Sequence, residues 1–447
     1  MTGSVHTEQM IAGRMMNDRQ EGCMGVVSDL LKNIELPEMI QIRQKFDGTH
    51  IETDRIPEVI AAQMKQEKIA GRFKPGMRVA ITAGSRGIAN ISLIIRSIAD
   101  SLKDMGCEPF IVPAMGSHGG ATAEGQREVI ESYGITEEAV GCKIVSSMVT
   151  VEIGKTETGR PVRIDKHAYE ADGIVVCGRI KPHTGFRGPY ESGIMKMMAI
   201  GLGKQYGAEI THQDGFHHFR EYIPMYGKAI IRFAPISCAL AVLENAYDQT
   251  RELVALTPDE IITEEPKLLD RARTYMPRLL FNACDVLIID EAGKNISGDG
   301  MDPNISGRFP TASASGGISA QRVAILDMTP ESHGNGCGMG LADCISRRFY
   351  EKLDLEATYP NAITNTLVGE LKIPMIMNND RETIQLCIKT CNEIDHKNPR
   401  MIRIKNTLKL ETVEISKALL EEAKAHPDIE VTGELSPMKF NEQGNLW

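Results

Sequence analysis

Apolar residues along the chain fall into two kinds of pattern. Short aliphatic runs appear in "MRVAITAGSRGI", "CEPFIVPAMGSHGG", "ADGIVVCGRIKPH", "CDVLIIDEAG" and "QRVAILDMT", each closing on glycine or polar residues. Runs of this length, rich in Val and Ile, predict buried strands. Between them, apolar residues recur every three or four positions in "TDRIPEVIAAQMKQEKIAG" (53–71), "ANISLIIRSIADSLKDMG" (89–106) and "TEEPKLLDRARTYMPRLL" (263–280), which predicts helices, with Gly71 and Gly106 as stops. Strands alternating with helices imply an α/β protein with mostly parallel sheets. The pattern divides into two domains, an N-terminal catalytic domain over 1–273 (with a polar arm at 1–27) and a C-terminal α/β domain over 274–447. Ligands of such sheets bind outside the carboxyl ends of the strands. The loops at 83–90, 116–124, 181–196 and 330–340 are therefore expected to meet in one cleft between the domains.

Composition narrows the function. The net charge of −10 argues against nucleic acid as a partner, since phosphate-binding surfaces need a basic excess. No apolar stretch approaches the roughly 20 residues of a membrane helix, and the first residues lack the apolar core of a signal peptide, so a cytoplasmic protein without a membrane partner is expected. The ten cysteines show no disulfide-framework spacing and read mainly as buried thiols.

The chemistry sits just after the strands. His118 in "GSHGG", His183 in "KPHTG" and His333 in "ESHGNG" occupy analogous loops, with glycines that let a ligand approach the backbone. Histidine titrates near neutrality and suits general acid–base work. Two such groups on opposite sides of one carbon would serve a racemase. Metal binding is the other use of imidazole, with His212, His217 and His218 in "THQDGFHHF" as candidate ligands. "ITAGSRGIAN" lacks the lysine of a phosphate-binding loop, "GKNISGDGMD" lacks the ligand positions of an EF-hand, and no GxSxG elbow is present.

"PAMGSHGGATAEG" followed by "GRIKPHTGF", "SGIMKMMAIGLG" and "ITH" resembles the nickel-pincer lactate racemase family. In that family a lysine follows a Ser-Gly-Gly segment and a histidine lies sixteen residues beyond it. Here Ser192-Gly193 leads to Lys196, and His212 stands sixteen residues later. The resemblance implies that Lys196 tethers the cofactor, a pyridinium-3,5-bisthiocarboxylic acid mononucleotide carrying nickel. It also implies that His212 ligates the nickel, that His118 and His183 form the acid–base pair, and that Gly84, Ser85 and Arg86 line the cofactor. Square-planar coordination by soft ligands suits nickel. In the family the cofactor takes a hydride from C2 of a 2-hydroxyacid while a histidine takes the hydroxyl proton, and return to the other face inverts the centre.

The chain departs from the family pattern in three places. Ala83-Gly84-Ser85-Arg86 stands where the family has Asp-His-Thr-Arg, keeping the arginine for a carboxylate but losing the aspartate. "RGPYES" lengthens the interval from His183 to Lys196 to thirteen residues, against ten in the family. "MDPNISGRFP" keeps Asp302, Asn304 and Ile305 but has Gly307 and Arg308 where the family has a glutamine and a lysine. With Arg86, Arg187 and Arg308 as substrate-binding candidates, these changes imply a hydroxyacid larger or more polar than lactate, such as a sugar acid or a dicarboxylic hydroxyacid. The expected protein is thus an isomerase, a 2-hydroxyacid racemase or epimerase, with cofactor-synthesis proteins as partners. The alternatives are a non-catalytic hydroxyacid- or nucleotide-binding protein on the same scaffold, and a divalent-metal hydrolase using the same histidines.

Overall fold

In a computed structural model, residues 25–447 are described. The polar arm expected over 1–27 lies largely outside them, and its end enters a helix, Val26–Leu31.

The first sheet has six strands in the spatial order Lys143–Ile144, Glu108–Pro113, Arg78–Ala83, Gly173–Arg179, Ile236–Glu244 and Thr250–Leu256. All neighbours are parallel except the last pair. Successive side chains point to opposite faces, so each strand feeds two cores. Val79 and Ile81 join Ile56, Ile60, Ile94 and Ile98 on one side. Ala80, Ile174, Val176 and Leu243 join Met195, Phe219 and Leu268 on the other. Both faces are covered, which is why these strands read as continuous apolar runs.

The second sheet has nine strands. Met375–Met377, Cys344–Ser346, Ser319–Met328, Ala283–Ala292 and Met401–Ile404 run parallel, and Thr412–Ser416, Glu38–Gln44 and Ile429–Val431 continue it antiparallel. Strand Glu38–Gln44 precedes the whole first sheet in sequence, yet it pairs with Thr412–Ser416, with Ile40 opposite Ile415 and Ile42 opposite Val413. A division at 274 places this strand with the wrong sheet. Its alternating burial reads as a strand, but nothing local names its partner.

Two expected helices differ in extent. The segment 53–71 breaks at Lys65 into Ile56–Met64 and Glu67–Ala70. The helix expected at 263–280 is Pro258–Tyr275, started five residues earlier by a capping box of Thr257 and Glu260 and ended before Pro277.

Strands Glu108–Pro113, Arg78–Ala83 and Gly173–Arg179 are adjacent and parallel. Their carboxyl-end loops therefore emerge side by side, carrying His118, Arg86 and His183. In the second sheet, Ala283–Ala292 and Ser319–Met328 are likewise adjacent and parallel, and project the loops at 293–302 and 329–340.

Candidate active site

Lys196 lies at the end of a single helical turn, Ile194–Lys196, which continues as a π-helical segment, Met197–Leu202. Such segments are uncommon and often mark functional sites. Two buried carboxylates fix this piece of chain. Glu265, from the helix Pro258–Tyr275, accepts the Met195 N–H at 3.0 Å. A Cβ on Gly193 would come within 2.1 Å of Glu265 Oε1, so only glycine admits the carboxylate there. Burial raises Glu265 to about 8. Glu191 accepts the His183 N–H at 2.7 Å and the Gly188 N–H at 3.1 Å, and it pairs with Arg273 at 2.6 Å and Arg187 at 3.4 Å. Glu191 belongs to "RGPYES", so the lengthened loop supplies its own clamp.

The result is a direct contact: Lys196 Nζ lies 2.5 Å from His183 Nε2. His183 Nδ1 accepts the Gly185 N–H at 2.9 Å, so in the neutral ring the proton is on Nε2. Nε2–H must then donate to Lys196, which requires an uncharged amine. Burial and the Arg86 charge lower Lys196 to about 8, and burial and Lys196 hold His183 well below its ordinary value.

His212 ends the helix Lys204–His212. Its Nδ1–H donates to the Ala208 carbonyl at 2.6 Å, which leaves Nε2 with a free lone pair. Burial lowers its pKa to about 4, so the ring stays neutral. His183 and His212 both flank Phe216, with ring centroids at 6.1 and 5.4 Å, and Phe216 stacks on Phe219 at 4.4 Å. His217 and His218 stand apart from this arrangement. Their rings meet at a tilt, and His218 stacks on Tyr222. No group of three or more His, Cys, Asp or Glu among the described residues is arranged to hold a metal ion.

His118 donates Nδ1–H to the Met115 carbonyl at 2.8 Å, so its Nε2 is also a free acceptor. Its surroundings and the Arg86 charge push it below the ordinary value. The ring and Arg86 both keep solvent access, so they line an open cleft, and water moderates the shift. The His118 loop is underpinned by Lys204, a fully buried residue at φ +55°. Lys204 donates to the Pro113 carbonyl and to Gln126 Oε1 at 3.2 Å and pairs with Asp165 at 3.2 Å. Gln126 in turn donates to the Gly116 and His118 carbonyls.

The three arginines separate. Arg86 has charged neighbours but no hydrogen-bonding partner among the described residues, and its guanidinium reaches Gly298 of the second unit, where a Cβ would lie 3.0 Å from it. The Ser85 carbonyl is held by Tyr133 at 3.0 Å, and a Cβ on Gly84 would lie 2.9 Å from Met197, beside Lys196. Arg187 does not offer a free fork. It binds the His183 and Ser315 carbonyls, Asn304 and Glu191. Arg308 is engaged by Asp343 at 2.7 Å and by the Ala320 and Gln321 carbonyls. Both guanidinium groups, expected to meet the substrate, are here engaged in bonds within the protein. Arg187, together with the Lys181–Asp302 pair at 2.9 Å and the Arg187 N–H to Ser313 carbonyl bond, ties the His183 loop to the second unit.

The expected convergence of loops thus holds for 83–90, 116–124 and 181–196. Loop 330–340 reaches the same region through Cys337, which neighbours Arg86. His333 is an exposed residue in a left-handed turn. Sequence reasoning missed Glu191, Glu265, the Phe216–Phe219 stack and Asp299. Asp299 comes from the second unit and neighbours Thr184, Lys294 and Arg86.

The cleft thus brings together two histidines, a lysine of lowered pKa and a third imidazole with an open Nε2. Residues 31–220, which contain Arg86, His118, His183, Lys196 and His212, match the family model of the lactate racemase N-terminal domain. In structure the chain is similar to the lactate racemase apoprotein of Thermoanaerobacterium thermosaccharolyticum, with a TM-score of 0.49 and 13% identity over 83% of this chain and 99% of that one. No curated protein matches the sequence. No helix among the described residues is long and apolar enough to cross a membrane.

Proposed function

We propose that the protein is a racemase or epimerase that inverts C2 of a 2-hydroxyacid with a nickel-pincer nucleotide bound in the cleft. The observation that carries this reading is the Lys196–His183 contact, made by a buried lysine whose lowered pKa of about 8 brings its nucleophilic amine form within reach of neutral pH. His212 supports it with a bare Nε2 beside the same aromatic stack. A lone protein imidazole fits a metal whose remaining ligands come from an organic group. Lys196 would hold that group covalently, His212 would ligate its nickel, and Gly84, Ser85 and Arg86 would line it.

When bound, the group supplies a hydride acceptor and donor for C2. The protein moves the proton. Arg86 presents an unpaired fork to the substrate carboxylate. His118 Nε2 is free to accept the hydroxyl proton, and a planar 2-keto acid would form as C2 gives up its hydride. To return a proton on the opposite face, His183 would enter the turnover as an imidazolium with its Nε2–H released from Lys196. It then ends neutral while His118 ends protonated, the exchanged states from which the reverse direction starts.

Co-expression with the proteins that make the cofactor, followed by intact-mass measurement and peptide mapping, tests the assignment. An adduct on Lys196 with one nickel per chain is expected. An adduct on another lysine, or nickel without an adduct, contradicts it.

A further inference from the structure

The wall that the second unit turns toward the cleft carries an unused acceptor. Asp299 is 8% exposed, and its Oδ2 has no hydrogen-bond partner. The segment is rigidly placed. The Met301 N–H donates to the Asp299 carbonyl at 2.7 Å, and Gly338, at φ +88°, lies so close that a Cβ there would stand 1.7 Å from the same oxygen. Behind the carboxylate, the void lined by Gly293, Asn335, Cys337 and Phe349 has no room for a water molecule. In front, the Thr184 hydroxyl, next to His183, stands within donor reach of the carboxylate, and Arg86 is nearby. A buried carboxylate oxygen without a partner is costly, and Thr184 and Arg86 place Asp299 beside the site.

The charges nearby decide what that partner is. Arg187 and Arg308 are committed to structural bonds. Lys294 donates to the Gly298 carbonyl at 2.5 Å. Glu370, fully buried, leaves a second orphan carboxylate oxygen next to Cys337. With Arg86 taking the C1 carboxylate, a second carboxylate on the substrate would meet two buried acidic groups and no free guanidinium.

We propose that Asp299 is a specificity-determining residue that accepts a hydrogen bond from a substrate hydroxyl beyond C2, so that the substrate is a polyhydroxy acid and not a dicarboxylic one. This rests on the reading of the cleft as a 2-hydroxyacid site. Asp299 follows a strand of the second sheet, whereas position 83, where the related family carries its aspartate, ends a strand of the first, so Asp299 is a feature of this chain's own "SGDGMD" segment.

The test is calorimetric binding of three four-carbon acids to the cofactor-loaded full chain: 2,3,4-trihydroxybutyrate, 2-hydroxybutyrate and malate. A hydrogen bond to a charged acceptor corresponds to a preference of about 10- to 100-fold for the trihydroxy acid. Asp299→Leu should abolish that preference while 2-hydroxybutyrate binds as before. Asp299→Asn, nearly isosteric and uncharged, should bind malate more tightly than the parent does and keeps the test valid if the leucine variant misfolds. An unchanged preference in both variants, or malate bound best by the parent, overturns the role of Asp299 alone. If the folded parent binds none of the three acids, the hydroxyacid reading falls together with it.

Discussion

Lys196 and His183 share one proton across 2.5 Å, and the Gly185 N–H on the far nitrogen of the ring decides which of them holds it. With the imidazole donating, the contact takes the amine form of the lysine. Its pKa near 8, set first by burial and then by Arg86, lies well below the ordinary lysine value. Lys196 is protonated below that pH and reactive above it. Labelling of the cofactor-free chain with an amine-selective acylating reagent, read by peptide mapping, should show Lys196 reactivity rising through about pH 8. A midpoint near pH 10 would mean that the lysine is an ordinary ammonium.

His212 should retain nickel further into acid than a typical histidine does. Protons and metal compete for Nε2, and burial holds the ring neutral to about pH 4. Nickel content after dialysis of the loaded protein is expected to hold through pH 5.5 in the parent, roughly one unit below the ordinary histidine pKa. His212→Ala should lose nickel at neutral pH while its circular dichroism is unchanged. Full nickel retention by that variant would transfer the ligand role elsewhere.

The histidine pair should fail as a pair. Each inversion uses both rings, so His118→Ala and His183→Ala should each lose about 10²- to 10⁴-fold in both directions of racemisation. Polarimetry from either enantiomer reads this. A variant that slows one direction only, or neither, removes that histidine from the pair.

How much of this could be read from the sequence follows from how local each signal is. The strands around Val79, Ile111 and Val175 are visible because burial on both faces writes an unbroken aliphatic run. Their order places His118, Arg86 and His183 side by side, and the residues themselves stand out as polar groups after each strand. The bonds of Arg187 and Arg308 were illegible for the opposite reason. An arginine in a loop looks the same whether it awaits a substrate or holds Asn304 and Asp343 across a fold. Glu265 was invisible because its partner, the Met195 N–H, lies seventy residues away. The strand Glu38–Gln44 was assigned to the wrong unit because pairing across hundreds of residues leaves no local mark.

Glu265 gives a prediction about stability. Its pKa is near 8 in the folded chain, while an unfolded glutamate titrates near its ordinary 4.5. Between those values the folded state binds the extra proton, so stability should fall as pH rises from 4.5 to 8. Thermal melts of Glu265→Gln should lose much of that slope, and the variant should melt above the parent at pH 8.5. If the two melt in parallel from pH 5 to 8.5, the carboxyl is not held protonated.

The account as a whole turns on inversion at C2 by a hydride that never reaches water. An enantiopure 2-hydroxyacid carrying deuterium at C2, such as 2,3,4-trihydroxybutyrate, is incubated with the loaded enzyme in ordinary water. Chiral chromatography with mass detection then follows both stereoisomers at C2. The account predicts that the inverted product keeps its deuterium at C2. Inversion with loss of the label to solvent would show abstraction of a proton instead, and would contradict it.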